Sequence, residues 1–123
     1  MTRCFLSLTF VFALASASLA HEPRPGPHGG LKVDAGSSMH AELVTDGTVQ
    51  VTVFLYDAND KPVAAQGFRA NAILIVNGAT QRFALQAAES NKLVGSASIA
   101  VPKGTKGAVQ IIGPDGATVQ AKF

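Results

Sequence analysis

The chain has no tryptophan, a single tyrosine and a single cysteine, Cys4. One cysteine cannot close an internal disulfide, and this one lies among the first twenty residues, so the remainder must be held by its core alone. No Cys-x-x-Cys pair offers a zinc site of the thiolate type. There is no Gly-x-Ser-x-Gly or His-Glu-x-x-His motif, and no glycine-rich loop stands between a strand and a helix to cradle a phosphate. A copper oxygenase organised by an amino-terminal histidine would need a substrate surface rich in aromatics, which one tyrosine does not supply. No enzyme is expected. Beyond Arg3 the chain carries nine Lys and Arg against eight Asp and Glu, and no basic face is visible in it, so nucleic acid is not an expected partner.

What is present divides into three parts. Residues 1–20, MTRCFLSLTFVFALASASLA, have the layout of a secretory signal peptide. Arg3 is the positive start, Phe5 to Leu14 the apolar run, and Ser18-Leu19-Ala20 the small-residue cleavage site. The run is too short for a membrane span. Cleavage after Ala20 would leave no stable membrane anchor and send residues 21–123 to the periplasm. Residues 21–30, HEPRPGPHGG, read as a flexible arm without a strand or helix of its own, because proline and glycine dominate it. Residues 31–123 read as a single all-β domain.

Period-two alternation with turn signals about every ten residues supports that domain. Val49, Val51, Val53 and Leu55 alternate with more polar neighbours. Asn71 to Val76 is apolar on both faces and should be a central strand, and Asn77-Gly78 suits a type I′ turn into a partner strand, Ala79 to Leu85. Leu93 to Val101 alternates again, a further strand is expected around Val109 to Ile112, and Ala117 to Phe123 closes the domain. Seven or eight strands favour an antiparallel, Ig-like β-sandwich, with a small barrel as the alternative.

The hairpin around Thr45-Asp46-Gly47 can be assigned a register. A two-residue loop would place Glu42 among valines, where a bare carboxylate costs several kcal/mol. A three-residue loop pairs Val44 with Thr48, Leu43 with Val49 and Ala41 with Val51, and sets His40 and Glu42 together on a polar, solvent-facing side.

All three histidines, His21, His28 and His40, fall in the first twenty residues after the leader. If cleavage follows Ala20, His21 can chelate a metal through its α-amine and ring together. His28 precedes Gly29-Gly30, where the chain can turn back toward the His40 and Glu42 pair. Imidazole and carboxylate donors of this kind suit copper first, with zinc or nickel as alternatives. Met39 points opposite His40 and reads as core. Glu22 and Asp34 read as solvated charges.

The frame Pro27-His28-Gly29-Gly30, then Met39 to Val44 (MHAELV), Val53 to Asp57 (VFLYD) and Lys61-Pro62-Val63, resembles the small periplasmic His-Gly-Gly proteins of Gram-negative bacteria. These carry a signal peptide and are often encoded beside heavy-metal or copper efflux systems. A similar segment occurs near the start of periplasmic efflux adaptor subunits. The resemblance, which extends to Asn91-Lys92-Leu93 and Gly95, implies a metal role for His28, His40 and Glu42, and an efflux adaptor as a partner. His21 lies outside that frame.

Overall fold

The computed structural model describes residues 22–123. The expected signal peptide and His21 lie outside them. Nine strands are formed among the described residues, and no helix: β1 Arg24–Pro25, β2 Leu31–Ala35, β3 Met39–Thr45, β4 Gln50–Asp57, β5 Arg69–Val76, β6 Ala79–Ala87, β7 Lys92–Ser96, β8 Lys106–Ile112 and β9 Thr118–Lys122. The turn at Asn77-Gly78 has the conformation its sequence requires, with φ of 51° and 76°, and β5 lies between β6 and β8 as a central strand should. The strand expected to reach Val101 stops at Ser96. Beyond it the amides of Ala97 and Val101 pair instead with the carbonyls of Val49 and Thr48.

All neighbours are antiparallel, and the order β2-β3-β4-β7-β6-β5-β8-β9 returns on itself where Ala35 of β2 pairs with Ala121 of β9. The expected two-sheet sandwich is therefore replaced by its alternative, one barrel-like ring of eight strands. Small residues make the closure feasible: Ala35 and Ala121 are fully buried, and a side chain at Gly36 would run into Val119. Alternation in a strand reports which face is buried but not whether the first and last strands meet, so the pattern fitted both architectures. β1 takes the remaining length of the same β2 edge, pairing Arg24 with Lys32 and Pro25 with Leu31. The arm thus contains a short strand, contrary to expectation, and continues the wall where β9 ends.

One cluster of inward side chains fills the ring, including Leu55, Leu74, Leu85, Leu93 and Ile111. Met39 and Phe123 pack against it partly buried. The β3–β4 register differs from the expected one. Leu43 pairs with Val53, Ala41 with Leu55, Glu42 with Phe54 and His40 with Tyr56. The connection runs over Asp46 to Val49, because Thr45 Oγ1 bonds the Pro102 carbonyl and Gly47 N the Val101 carbonyl, drawing the turn toward the 97–102 segment. The displacement is an even number of residues, so each side chain keeps its face even though its partner changes. Val49, expected inside, is left exposed.

Candidate functional site

The outer face of β2, β3 and β4 carries the site. Cross-strand pairing aligns Arg24, Lys32, Glu42, Phe54 and Lys92 in one transverse row, and Asp34, His40 and Tyr56 in the next. The arm lies over this face, which corrects the solvent-facing expectation for His40 and Glu42. His40 retains 6% of its surface and Glu42 none. A carboxylate so buried must fill its acceptor positions with donors, and here it does. Oε2 accepts the backbone amides of His28 (2.9 Å) and Gly30 (3.0 Å). Oε1 accepts the His28 ring nitrogen Nδ1 (2.8 Å) and the Tyr56 hydroxyl (3.0 Å).

The local sequence explains this wrapping. Gly26 N bonds the Gly30 carbonyl and Gly29 N the Gly26 carbonyl, closing a tight turn in which Gly29 adopts φ of 81°. A Cβ on Gly26 would overlap the Glu42 carboxyl, and one on Gly30 would overlap the Leu43 carbonyl. The Gly-x-x-Gly-Gly spacing therefore lets two alternate backbone donors, His28 N and Gly30 N, approach one buried oxygen while the Gly29 amide closes the turn.

Burial alone would raise the Glu42 carboxyl, but the hydrogen bonds from the His28 ring, the Gly30 and His28 amides and Tyr56 together hold it below its ordinary value of 4.5. The same contacts act oppositely on Tyr56, whose phenol is pushed well above its usual range by burial first and then by the neighbouring carboxylate. Tyr56 is thus a neutral donor. Because Glu42 accepts from it and from His28, the His28 tautomer carries its hydrogen on Nδ1, and the 3.1 Å approach of the Tyr56 hydroxyl to Nδ1 is a by-product of sharing Oε1. The His28 ring stacks on Phe54, centroids 3.6 Å apart and planes 2° from parallel. Its Nε2 lies on the side of the ring away from Glu42, and the side chain is 43% exposed.

His40 is held differently. Its Nε2 lies 3.1 Å from Asp34 Oδ1 and its Nδ1 2.8 Å from Asp60 Oδ1. Asp34, read from sequence as a solvated charge, is thus one of its partners. Asp60 also takes Lys32 (3.2 Å) and Arg24 (2.7 Å), and Lys32 Nζ in turn sits 4.3 Å over the Tyr56 ring, joining the two histidine clusters. The turn at Asp57 to Lys61 aims that carboxylate: Asp57 Oδ1 accepts the amides of Asn59 and Lys61, and Asp60 adopts φ of 62°, which Asp tolerates. The hydrogen bond from His40 leads the causes that lower the Asp60 carboxyl to about 2, against its partial desolvation and helped by Lys32 and Arg24.

No protein-family model, curated protein or solved structure matches this chain. The site must be read from its own geometry.

Of the four expected ligands, the structure brings His28 and Glu42 together, places His40 in a separate ion-pair cluster, and leaves His21 outside the described residues. No group of three or more His, Cys, Asp and Glu side chains is arranged to hold a metal among the described residues. Both oxygens of Glu42 are already occupied, and both His40 nitrogens face carboxylates. Among the described residues, only His28 keeps a ring nitrogen directed away from its partner. It borders a depression of about 380 Å³ whose wall also includes Thr52, Phe54, Glu89 and Lys92. Sequence reasoning missed Tyr56, Asp60 and Lys32. A signal for cover was present, since Phe54 and Tyr56 alternate onto the face assigned to solvent, where two adjacent aromatics need something over them.

Proposed function

We propose that the protein is a periplasmic metal-binding protein, copper being the first expectation and zinc or nickel the alternatives, that buffers or delivers metal in an efflux setting. The observation that supports this most is the orientation of His28. A buried carboxylate fixes Nδ1, an aromatic ring fixes the plane, and Nε2 is left with its lone pair on the accessible side, the arrangement by which carboxylates orient metal-binding imidazoles. Glu42 is then the orienting acceptor and no ligand. His40 stabilises the fold. His21, with its α-amine if cleavage follows Ala20, is the candidate for the further donors, and Glu89 contributes a carboxylate to the same depression. The resemblance to periplasmic His-Gly-Gly proteins supports the efflux setting and an adaptor as the recipient.

Calorimetry of the secreted form with Cu(II) and Zn(II) tests this. His28→Asn keeps a donor near the Nδ1 position and removes Nε2. Binding tighter than about 10 µM near neutral pH is expected, lost in His28→Asn, retained in His40→Ala, and weakened by acid because protons compete for Nε2. Unchanged binding by His28→Asn would end the proposal. A second reading, a metal-independent envelope interaction module, is favoured by the complete internal satisfaction of Glu42, which accounts for the His-Gly-Gly turn without a metal. Native mass spectrometry of protein taken from the periplasm separates the two and locates the amino terminus.

A further inference from the structure

The charge of the molecule is segregated along the chain. Residues 22–60 carry six carboxylates and two cations, whereas residues 61–123 carry seven cations and two carboxylates. The fold gathers part of that excess on one surface. On the outer side of β6, β5, β8 and β9, pairing sets Arg82, Ile73, Ala108 and Lys122 in one row, and Thr80, Ile75 and Lys106 in the next. Arg69 lies on the same side two rows away, in line with Ile112. None of these four strands contains an Asp or Glu. Among the described residues, the salt bridges made by Lys and Arg belong to Arg24, Lys32 and Lys92, so Arg69, Arg82, Lys106 and Lys122 are uncompensated. Ile75, in their midst, is 57% exposed, although the barrel gains no burial from it. Chain order hides this surface, because its cations are dispersed over more than fifty residues.

We infer that this face docks an acidic protein surface, one presenting carboxylates around a small apolar centre. Charge complementarity decides the chemistry: four cations without a counter-carboxylate raise a one-signed field that speeds encounter with an acidic partner, and the central isoleucines give the contact its apolar middle. The chain's own acidic half is a poor complement for a second copy. Its Glu42, Asp34 and Asp60 are spent on internal donors, which leaves only Glu22 and the turn residues Asp46 and Asp57. An anionic bilayer is also the weaker fit. Surfaces that enter the lipid interface use tryptophan and tyrosine, and this one has neither. The inference holds whether or not His28 binds metal, because the face lies outside the arm and its site.

Fluorescence anisotropy of labelled polyglutamate with the secreted protein tests it, alongside sedimentation velocity and flotation with phosphatidylglycerol vesicles. Binding that weakens with salt is expected, with Arg82→Glu/Lys106→Glu lowering affinity by about tenfold or more. Lys61→Glu, a single reversal in an exposed loop away from the face, should change it less than about twofold. Equal loss in Lys61→Glu would reduce the effect to net charge and overturn the inference. Vesicle flotation without polyglutamate binding would overturn it in favour of a membrane, and a salt-sensitive dimer abolished by Arg82→Glu/Lys106→Glu would overturn it in favour of self-association.

Discussion

His28 and His40 lie on one side of the same sheet, each beside a carboxylate at 2.8 Å, and they are held in opposite ways. His28 leans on a single buried acid and turns its second nitrogen outward. His40 is gripped at both nitrogens and is almost wholly covered. The difference teaches that a histidine's contact with a carboxylate says little about its role until the other nitrogen is followed. One ring keeps a nitrogen directed away from its acid; the other is a joint between β2, β3 and the Asp57 to Lys61 turn.

The largest effect is expected where that contrast depends on Glu42. Glu42→Ala would leave two backbone amides, the Tyr56 hydroxyl and the His28 ring without the buried carboxylate that all four share. Removing one partner of such a buried set costs about 3–5 kcal/mol. Urea unfolding should register most of that loss, with the arm released from β2 and β3. A loss below about 1 kcal/mol would mean that the arm lifts away freely and that its order contributes little.

Acid should bring out the same contact more gently. Glu42 is held below its ordinary 4.5 when folded, so its contribution is complete above that value and is lost as pH falls through the lower, folded one. The wild type should therefore lose stability steadily from about pH 5 downward, and Glu42→Gln, which has no such proton to take up, should show a shallower decline. Parallel acid profiles for the two proteins would show that Glu42 is not the group that links the arm to pH.

Much of this architecture was legible in the residues, and the limits have physical causes. Faces were readable because alternation fixes which side chains point inward: Ala41, Leu43, Val51, Val53 and Leu55 all occupy the core. The Asn77-Gly78 turn was readable because few dipeptides accept its backbone. Register was not, since Leu43 packs equally well beside Val49 or Val53, and the choice is made by bonds to Pro102 and Val101 far along the chain. Closure into a ring depends on Ala35 meeting Ala121, a contact between the two ends that no local pattern encodes. The return of His28 to the β3 face was legible from the glycines that follow it. That it would seal Glu42 from water was not, because the four donors are two backbone amides, the His28 ring and a tyrosine hydroxyl, whose joint positions only the fold defines.

The smallest effect should come from Asp60 on the His40 side, and it sharpens the comparison because its chemistry is similar while this carboxylate, unlike Glu42, is exposed. Asp60 accepts from His40, Lys32 and Arg24 yet is substantially exposed, so water and salt screen each pair. Asp60→Asn should lower the thermal midpoint by less than Glu42→Gln does, and the difference should shrink in high salt, whereas the Glu42 effect should persist there. The sign with pH follows from a carboxyl lowered from 3.8 to about 2: its contribution is complete above the first value and disappears as pH falls toward the second. Wild type and Asp60→Asn should therefore differ at neutral pH and converge near pH 2. Under the proposed function metal affinity should not change, because both His40 nitrogens lie beside carboxylates. If Asp60→Asn instead abolished metal binding while leaving the fold intact, the ion-pair cluster would have to be counted with the His28 site, and the division between the two histidines would fail.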